Sequence, residues 1–363
     1  MKNTKKHYYD IRDDIKKFPL AWLYCVWSKR GPGKTYSALR MCVEEKVPFI
    51  YVKRTNKDID FICSSSRFKT KTKKDPSPFA PLNRDFKWNI KPVKIMEGFA
   101  GFYECDDENN PLSDEPIGYA LSLNKVIDVK GFELSFCEYL IFDEFIPLKG
   151  QVVKKAEGEM LLSLYMTVSR DRQARGRGPL KMILFANAEQ LVTPITSTIE
   201  IVDDIALVDY MNERYMYIEE RGILLHHITK EECPLLEEEK EGIYKGMQGT
   251  AWFDNAFGGN FSTVDYTNVK RDKRLTGYNC IIAVKYKRKW IYIYYSKNNS
   301  DLYASSKPAT AKNIYDLERD NDQVLFFENE RPFLFDMCIN DRFKFEKYTY
   351  YDLVINYKDY FKV

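Results

Sequence analysis

The sequence predicts an α/β fold with a mainly parallel sheet, followed by a linker and a small α+β domain. Segments 23–27 and 47–54 are apolar and suit buried strands, and the residues between them carry apolar side chains at helical spacing. This order is that of a β-α-β unit, which builds parallel sheets. Further buried strands are predicted at 139–142 and 180–185, and aromatic-rich antiparallel strands after residue 266.

The length of 363 residues is enough for two domains of ordinary size. We predict a first domain at 1–230, a linker module at 231–265 and a C-terminal domain at 266–363. Because no apolar run approaches the length of a membrane span, we expect no membrane partner and a cytosolic protein. The eight cysteines form no Cys-x-x-Cys pair, so we expect reduced core residues rather than disulfides or a zinc site.

The first motif is SKRGPGKT at 28–35, between a predicted strand and a predicted helix. Gly31 and Gly33 let backbone N–H groups close around an anion, and the helix N-terminus adds its partial positive charge. Lys34 would then reach the β- and γ-phosphates of a nucleotide, and the hydroxyl of Thr35 would bind Mg²⁺. Ser28 stands where the pattern GxxxxGK[ST] has glycine. Taken alone, the motif could also be an ordinary loop with a surface lysine.

The second motif is EYLIFDEF at 138–145, an apolar strand that ends in two acids. In an ATP-hydrolysing P-loop protein, the first carboxylate binds Mg²⁺ and the second polarises the attacking water. We assign these roles to Asp143 and Glu144; the alternative is a strand that runs into a solvated acidic loop. Both motifs in one chain favour a P-loop NTPase fold with ATP and Mg²⁺ as cofactors.

Three further features have both a functional and an ordinary interpretation. Arg170 begins an arginine run that suits phosphate contacts, but it could be a solvated basic loop. Asn187 ends a predicted strand, where it could sense the γ-phosphate or simply form a turn. Residues 1–14 are expected to form a poorly packed arm, although Tyr8 or Tyr9 could fold back and stack on a nucleotide base.

With these motifs placed, the chain resembles the genome-packaging ATPases of small podoviruses of the Bacillus-phage, protein-primed type. These proteins are a ring-forming branch of the additional-strand P-loop ATPases. The resemblance extends from the P-loop to the C-terminal domain. It is carried by FIYVKR at 49–54, LIFDEF at 140–145, TVSR at 167–170 and FANA at 185–188.

The resemblance implies roles for further residues. Arg30 matches the P-loop arginine of the family, Arg170 its trans-acting arginine finger, and Lys130 a trans-acting lysine. Lys149 matches a basic residue that faces the DNA channel, and Lys53 and Arg54 are counted with it as DNA contacts. The C-terminal domain is implied to have a ribonuclease-H-like fold that has lost its nuclease site, and strand 280–286 carries Lys285 and no Asp.

The function implied is that of an ATP-driven translocase that packages double-stranded viral DNA into a preformed capsid. The implied partners are DNA, the capsid portal protein and other copies of the chain in a ring, a pentamer in the family, while a packaging RNA stays open. Its place would be the host cytoplasm, transiently docked on the procapsid. Two alternatives remain: a non-catalytic, nucleotide-gated module that binds DNA or the portal, and a packaging enzyme with nuclease activity.

Overall fold

The computed structural model describes residues 8–66, 75–126, 128–148, 150–234, 241–250, 253, 259–261 and 264–362. The chain divides into two compact units, Met1–Thr263 and Val264–Val363. Within the described residues, no helix has the length and apolar character needed to cross a membrane. All the cysteines are free, and most are buried in the cores.

One large sheet organises the first unit. Its strands are β1 Leu23–Ser28, β2 Phe49–Lys53, β3 Ile90–Met96, β4 Phe99–Glu104, β5 Gly118–Ser122, β6 Tyr139–Asp143, β7 Lys181–Asn187, β8 Tyr215–Ile218 and β9 Ile223–Ile228. Among the described residues, the order across the sheet is β3-β4-β5-β2-β6-β7-β1-β9-β8. The six neighbours β5, β2, β6, β7, β1 and β9 run parallel to one another. Antiparallel pairs lie at the two sides of the sheet, where β3 pairs with β4, β4 with β5, and β8 with β9.

The first unit also contains α-helices. They are α1 Ile11–Lys17, α2 Lys34–Glu44, α3 Asn56–Ile62, α4 Ala80–Phe86, α5 Glu157–Ser169, α6 Pro194–Ile199, α7 Val202–Tyr210 and α8 Ile243–Met247. Alternate residues of the central strands, such as Tyr24 and Val26, pack with α1 to α4 in one core. The intervening residues, such as Leu23 and Cys25, are also buried. The central strands therefore lack the alternating polar pattern of a half-exposed sheet.

The predicted mainly parallel α/β sheet is confirmed, and its order places β7 between β1 and β6. At one side of the sheet, the antiparallel strands β3 and β4 are joined by a tight turn. Gly98 in that turn has φ of +72°, and a Cβ there would lie 2.7 Å from Oδ1 of Asn56. The strands β4 and β5 pair antiparallel on either side of the acidic segment 105–117.

The N-terminal segment differs from its prediction. Residues 1–14 were expected to pack poorly, yet Tyr9 and Ile11 are buried. The backbone N–H of Tyr9 donates to the carbonyl of Pro32 at 3.0 Å, and its hydroxyl donates to Asp14 at 2.7 Å. Asp14 also contacts Nδ1 of His226 at 2.7 Å. Both contacts go to Oδ2 of Asp14, so one carboxylate oxygen joins Tyr9 to His226 inside the core, where an unpaired charge would be costly to bury.

The second unit contains the smaller sheet. Its strands are β10 Asn279–Tyr286, β11 Lys289–Ser296, β12 Asp301–Ser305, β13 Asn313–Asp316 and β14 Phe343–Phe345. Its helices are α9 Asp320–Asn329, α10 Arg331–Ile339, α11 Tyr348–Ile355 and α12 Tyr357–Tyr360. The strands β10, β11 and β12 form an antiparallel meander, flanked by β13 and β14 in parallel pairing. The predicted small α+β domain is confirmed.

Candidate nucleotide-binding site

The turn between β1 and α2 has the backbone that its glycines were predicted to allow. Gly31 and Gly33 have φ of +91° and +90°, values that L side chains rarely adopt. Gly33 is also the N-cap of α2, and a Cβ there would lie 3.2 Å from the ring of Tyr8. The turn thus presents the N-terminus of an eleven-residue helix to the cavity described below.

Lys34 lies at the first position of α2 and is buried. Its ammonium donates to the hydroxyl of Ser28 at 2.5 Å and to Oδ1 of Asn187 at 3.3 Å. Burial lowers the pKa of Lys34 to about 8, although Asp143 and Glu144 act in the opposite direction. An anion next to this ammonium would favour its charged form, so the environment suits a phosphate group.

Thr35 and Asp143 meet where α2 begins and β6 ends. The hydroxyl of Thr35 donates to Oδ1 of Asp143 at 2.8 Å. The other carboxylate oxygen accepts from the hydroxyl of Tyr51 at 3.0 Å and from the ammonium of Lys53 at 3.3 Å. A hydroxyl and a carboxylate side by side are the oxygen ligands that Mg²⁺ prefers, so these residues fit the predicted metal.

Glu144 follows β6 with φ of +60°, a left-handed conformation that is uncommon for residues other than glycine. Such backbone conformations cluster at functional sites, where the surrounding structure holds them in place. Its side chain is more than half exposed, and Lys53 contacts one carboxylate oxygen at 3.4 Å. A carboxylate held this way is accessible to water, as a catalytic base must be.

The predicted nucleotide residues surround one cavity of about 310 Å³. It is lined by Arg30, Gly31, Pro32, Gly33, Lys34, Thr35, Tyr36, Asp143, Glu144, Ala186 and Asn187. The side chain of Arg30 is largely exposed and lies 3.6 Å from Glu189. The structure therefore brings together all the residues predicted to contact nucleotide or metal within the chain.

Lys53 does not have the surroundings expected of a DNA contact. Its side chain is mostly buried and lies between Asp143 and Glu144. Burial alone would lower the pKa of Lys53, but the two carboxylates raise it by more, so the ammonium stays charged. Its charge is directed at the acidic pair of the nucleotide cavity, and its predicted DNA contact stays a prediction.

Arg54 is also buried, and its predicted DNA contact likewise stays a prediction. Its guanidinium is buried, donates to Glu157 at 2.5 Å and also bonds the backbone carbonyls of Glu144 and Phe145 at 3.2 and 2.8 Å. A DNA phosphate could bind this guanidinium only in exchange for these bonds. Arg54 instead fixes the segment that carries Glu144 to the first turn of α5.

Arg170 lies elsewhere, just after the last residue of α5. It is exposed and lines a groove of about 230 Å³ together with Gly131, Glu133, Ser135 and Arg175. Arg170 does not line the nucleotide cavity of the same chain. The groove is therefore a second surface feature, separate from the P-loop cavity.

Arg172 in the same arginine run is buried and holds this groove together. Its guanidinium donates to the carbonyl of Ser135 at 2.6 Å and of Gly178 at 2.8 Å, and to the carboxylate of Glu138 at 2.9 Å. It also bonds the carbonyl of Cys137. Arg172 thus ties the turn after Arg170 to the segment that enters β6.

Of Lys130 and Lys149, for which the resemblance implies roles, only Lys130 lies within the described residues. Lys130 lies in the short 3-10 helix Asp128–Gly131, whose last residue lines the Arg170 groove. Lys149 lies outside the described residues. Their predicted roles remain predictions.

Two residues contribute to the nucleotide cavity without belonging to either sequence motif. Tyr51 bonds the predicted metal carboxylate, and Tyr36 lines the cavity one residue after the Lys-Thr pair. Tyr51 lies on β2, which pairs in parallel with β6. Only that pairing could have indicated from the sequence that Tyr51 lies near Asp143. Tyr36 lies on the predicted helix with apolar residues at helical spacing, a pattern that does not indicate a position at the cavity.

The fold and the site define a P-loop protein of the additional-strand class. The P-loop follows β1, the acidic pair ends β6, and β7 lies between these two strands and carries Asn187. A comparison with protein-family models finds no match, and neither does a comparison with curated protein sequences.

A comparison with solved structures does find similar chains. The chain is similar to one in the bacteriophage Phi-29 viral genome packaging motor assembly, with a TM-score of 0.61 and 18% identity over 98% of each chain. It is also similar to the Phi-28 gp11 DNA packaging motor, with a TM-score of 0.59 and 15% identity over 95% of each chain. The chain therefore has the fold of these motor subunits over nearly its whole length, and the fold implied by the resemblance is confirmed.

Proposed function

We propose that this chain is the ATPase subunit of a motor that drives double-stranded DNA into a preformed viral capsid. The observation that carries the proposal is the single cavity that brings Lys34, Thr35, Asp143 and Glu144 together. The shared fold with two DNA packaging motors supports the packaging role. The resemblance in sequence motifs agrees with both the ATPase activity and the packaging role.

Within the cavity, the backbone N–H groups of the glycine turn and the ammonium of Lys34 bind the triphosphate. Thr35 and Asp143 hold Mg²⁺, which when bound neutralises charge on the phosphate oxygens. Glu144 orients the attacking water and accepts its proton, because its carboxylate is accessible at the cavity wall. We assign Asn187, which bonds Lys34, the role of sensing the terminal phosphate.

The site is completed by a neighbouring subunit. Arg170 is exposed and lies outside its own nucleotide cavity, as a residue that acts on the next subunit must. We assign it the role of trans-acting arginine finger, with Lys130 as the trans-acting lysine. This arrangement requires a closed ring of identical subunits, and the resemblance implies a pentamer.

The ring would hold DNA through its phosphates, with Lys149 in the channel. Binding through phosphates is independent of base sequence and weakens steeply with salt. The further partners are the capsid portal and, where the motor carries one, a packaging RNA. The chain would act in the host cytoplasm while docked on the procapsid.

Two other functions are less well supported. A nucleotide-gated module without catalysis does not require an acid that polarises water. Glu144 is such an acid, and it is held in a left-handed conformation at the cavity. A nuclease would need clustered carboxylates in the second unit. There, Asp301 pairs with Lys273 at 2.7 Å, and the described residues contain no group of three or more His, Cys, Asp or Glu that could hold a metal.

The deciding experiment is ATP hydrolysis by the purified full chain, with and without double-stranded DNA. We expect DNA to stimulate the wild type, and Glu144→Gln and Arg170→Ala each to abolish hydrolysis. Mixing the two variants should restore part of the activity, because some sites then combine an intact Glu144 with an intact Arg170. Glu219→Gln and Arg319→Ala are the matched controls and should stay active, because both residues are exposed and line neither the nucleotide cavity nor the Arg170 groove. Binding of ATP without hydrolysis under all conditions would instead support the nucleotide-gated module.

A further inference from the structure

A second cavity adjoins the nucleotide cavity. It has a volume of about 350 Å³, and its lining includes Tyr8, Gly33, Tyr36, Arg40, Pro81, Arg84 and Asp85. Gly33 and Tyr36 also line the cavity that contains Lys34 and Asp143. The two cavities are therefore neighbours along the P-loop, and the second is in the size range of small-molecule sites.

We propose that this second cavity, the Tyr8–Tyr36 cavity, binds the base of the nucleotide whose triphosphate lies on the P-loop. The proposal rests on the proposed function, since it assumes that Lys34 binds phosphate. A nucleoside triphosphate has its charged end and its flat aromatic end several bonds apart. The structure offers matching surfaces in that order, a cationic turn and then a pair of aromatic rings.

The aromatic rings have the geometry that a base requires. Tyr8 and Tyr36 have ring centroids 6.5 Å apart and planes within 24° of parallel. Both rings line the cavity, and Tyr8 is 54% exposed. A base can stack on either ring without needing a hydrogen-bond pattern, because every base has a π-face.

The position of Tyr8 is fixed by its neighbour. Tyr9 is buried, and its backbone N–H bonds the carbonyl of Pro32 in the P-loop at 3.0 Å. The Tyr9 ring packs edge-on against Phe185 and His226. The segment before α1 is thereby attached to the phosphate-binding turn, which brings the Tyr8 ring into contact distance of Gly33.

The polar groups around the cavity are engaged with each other. Tyr36 donates its hydroxyl to Asp85 at 3.1 Å, and Arg84 donates to the other oxygen of Asp85 at 2.9 Å. Arg40 donates to Glu44 at 2.7 Å. Because these groups already have partners, stacking is the main source of affinity. We expect modest discrimination between bases, with purines preferred for their larger face.

The test compares the binding of MgATP and of magnesium tripolyphosphate, which lacks the base, to the full chain by calorimetry. Tyr8→Ala should weaken ATP about ten-fold or more and leave tripolyphosphate unchanged. Tyr8→Phe keeps the ring and should bind ATP as the wild type does. Tyr210→Ala, at a tyrosine that is also exposed but lies outside the cavity, is the matched control.

The outcomes separate the two proposals. If Tyr8→Ala binds ATP as tightly as the wild type, the base site is wrong while the P-loop proposal stands. The same holds if the wild type binds ATP no more tightly than tripolyphosphate. If the wild type binds neither compound, the proposed function fails, and the base site fails with it. A parallel loss of ATP and tripolyphosphate in Tyr8→Ala would show a damaged P-loop and also overturn the base site.

Discussion

The ammonium of Lys34 lies 2.5 Å from the hydroxyl oxygen of Ser28, the residue that stands where the P-loop pattern has glycine. Ser28 is the last residue of β1 and is fully buried. Its hydroxyl donates in turn to the carbonyl of Lys29 at 2.5 Å. The departure from the pattern thus supplies a partner for a buried cation, which glycine could not do.

Ser28→Ala should destabilise the protein and tighten nucleotide binding. A hydrogen bond to a charged group contributes about 1.5–3 kcal/mol, and the free energy of unfolding should fall by about that amount. Nucleotide should bind more tightly because Lys34 then has one bond fewer to exchange for phosphate. Urea unfolding and calorimetric titration with ATP measure the two effects. Weaker ATP binding in Ser28→Ala would mean that the serine supports the phosphate site instead.

The lowered pKa of Lys34 predicts that both stability and ATP binding depend on pH. Its pKa is lowered from 10.5 to about 8 by burial in the folded chain. Between these two values the unfolded chain binds more protons, so the Lys34 contribution to the unfolding free energy rises with pH from about 8 to 10.5. Phosphate favours the charged form, so ATP binding in this range should take up a proton and weaken as the pH rises.

Calorimetry in two buffers of different ionisation enthalpy measures this uptake at each pH. Lys34→Arg keeps a permanent charge and should bind ATP without proton uptake. Equal uptake in the wild type and in Lys34→Arg would assign the proton to another group.

The bond between Thr35 and Asp143 predicts a selective effect on Mg²⁺. Thr35→Val has a similar shape but removes the hydroxyl, so it should raise the Mg²⁺ concentration for half-maximal hydrolysis by about ten-fold or more. Thr35→Ser keeps the hydroxyl and should remain close to the wild type. A titration of hydrolysis against Mg²⁺ at saturating ATP measures the shift. An unchanged midpoint in Thr35→Val would exclude Thr35 as a ligand.

The residues of the nucleotide cavity were predictable because their signals are local. Gly33, Lys34 and Thr35 are adjacent in sequence, and Asp143 and Glu144 follow a clearly apolar strand. The carboxyl ends of parallel strands meet at one edge of a sheet, so these segments had to come together once the sheet was parallel.

The contacts that the sequence did not reveal join distant parts of the chain. Arg54 has its acceptors at Glu144 and Glu157, 90 and 103 residues later. Asp14 contacts His226, 212 residues away, which orders a segment that composition alone marks as loosely packed. Whether a charged residue is exposed or buried depends on such partners, and neither periodicity nor motif spacing contains that information.

Arg54 should therefore affect stability rather than DNA affinity. Removal of one partner from a buried ion pair costs about 3–5 kcal/mol, because the remaining charge stays buried. We expect Arg54→Ala to lower the free energy of unfolding by that amount, as measured in urea. The double variant Arg54→Met, Glu157→Leu should recover most of the loss. For the double variant, the salt dependence of DNA binding should match that of the wild type, whereas a smaller salt slope would return Arg54 to the DNA interface.

Arg172 should control the reaction in the neighbouring subunit through the position of Arg170. The guanidinium N–H groups of Arg172 donate to the carbonyls of Ser135 and Gly178 and to the carboxylate of Glu138. The single ammonium of Arg172→Lys cannot reproduce that geometry. We expect Arg172→Lys to lose most DNA-stimulated hydrolysis while it binds ATP with unchanged affinity, because the groove does not line its own nucleotide cavity. Subunits with Lys34→Ala have a defective P-loop and an intact groove, so mixing them with Arg172→Lys should restore part of the activity. Loss of ATP affinity in Arg172→Lys, or no recovery on mixing, would mean that Arg172 supports its own subunit only.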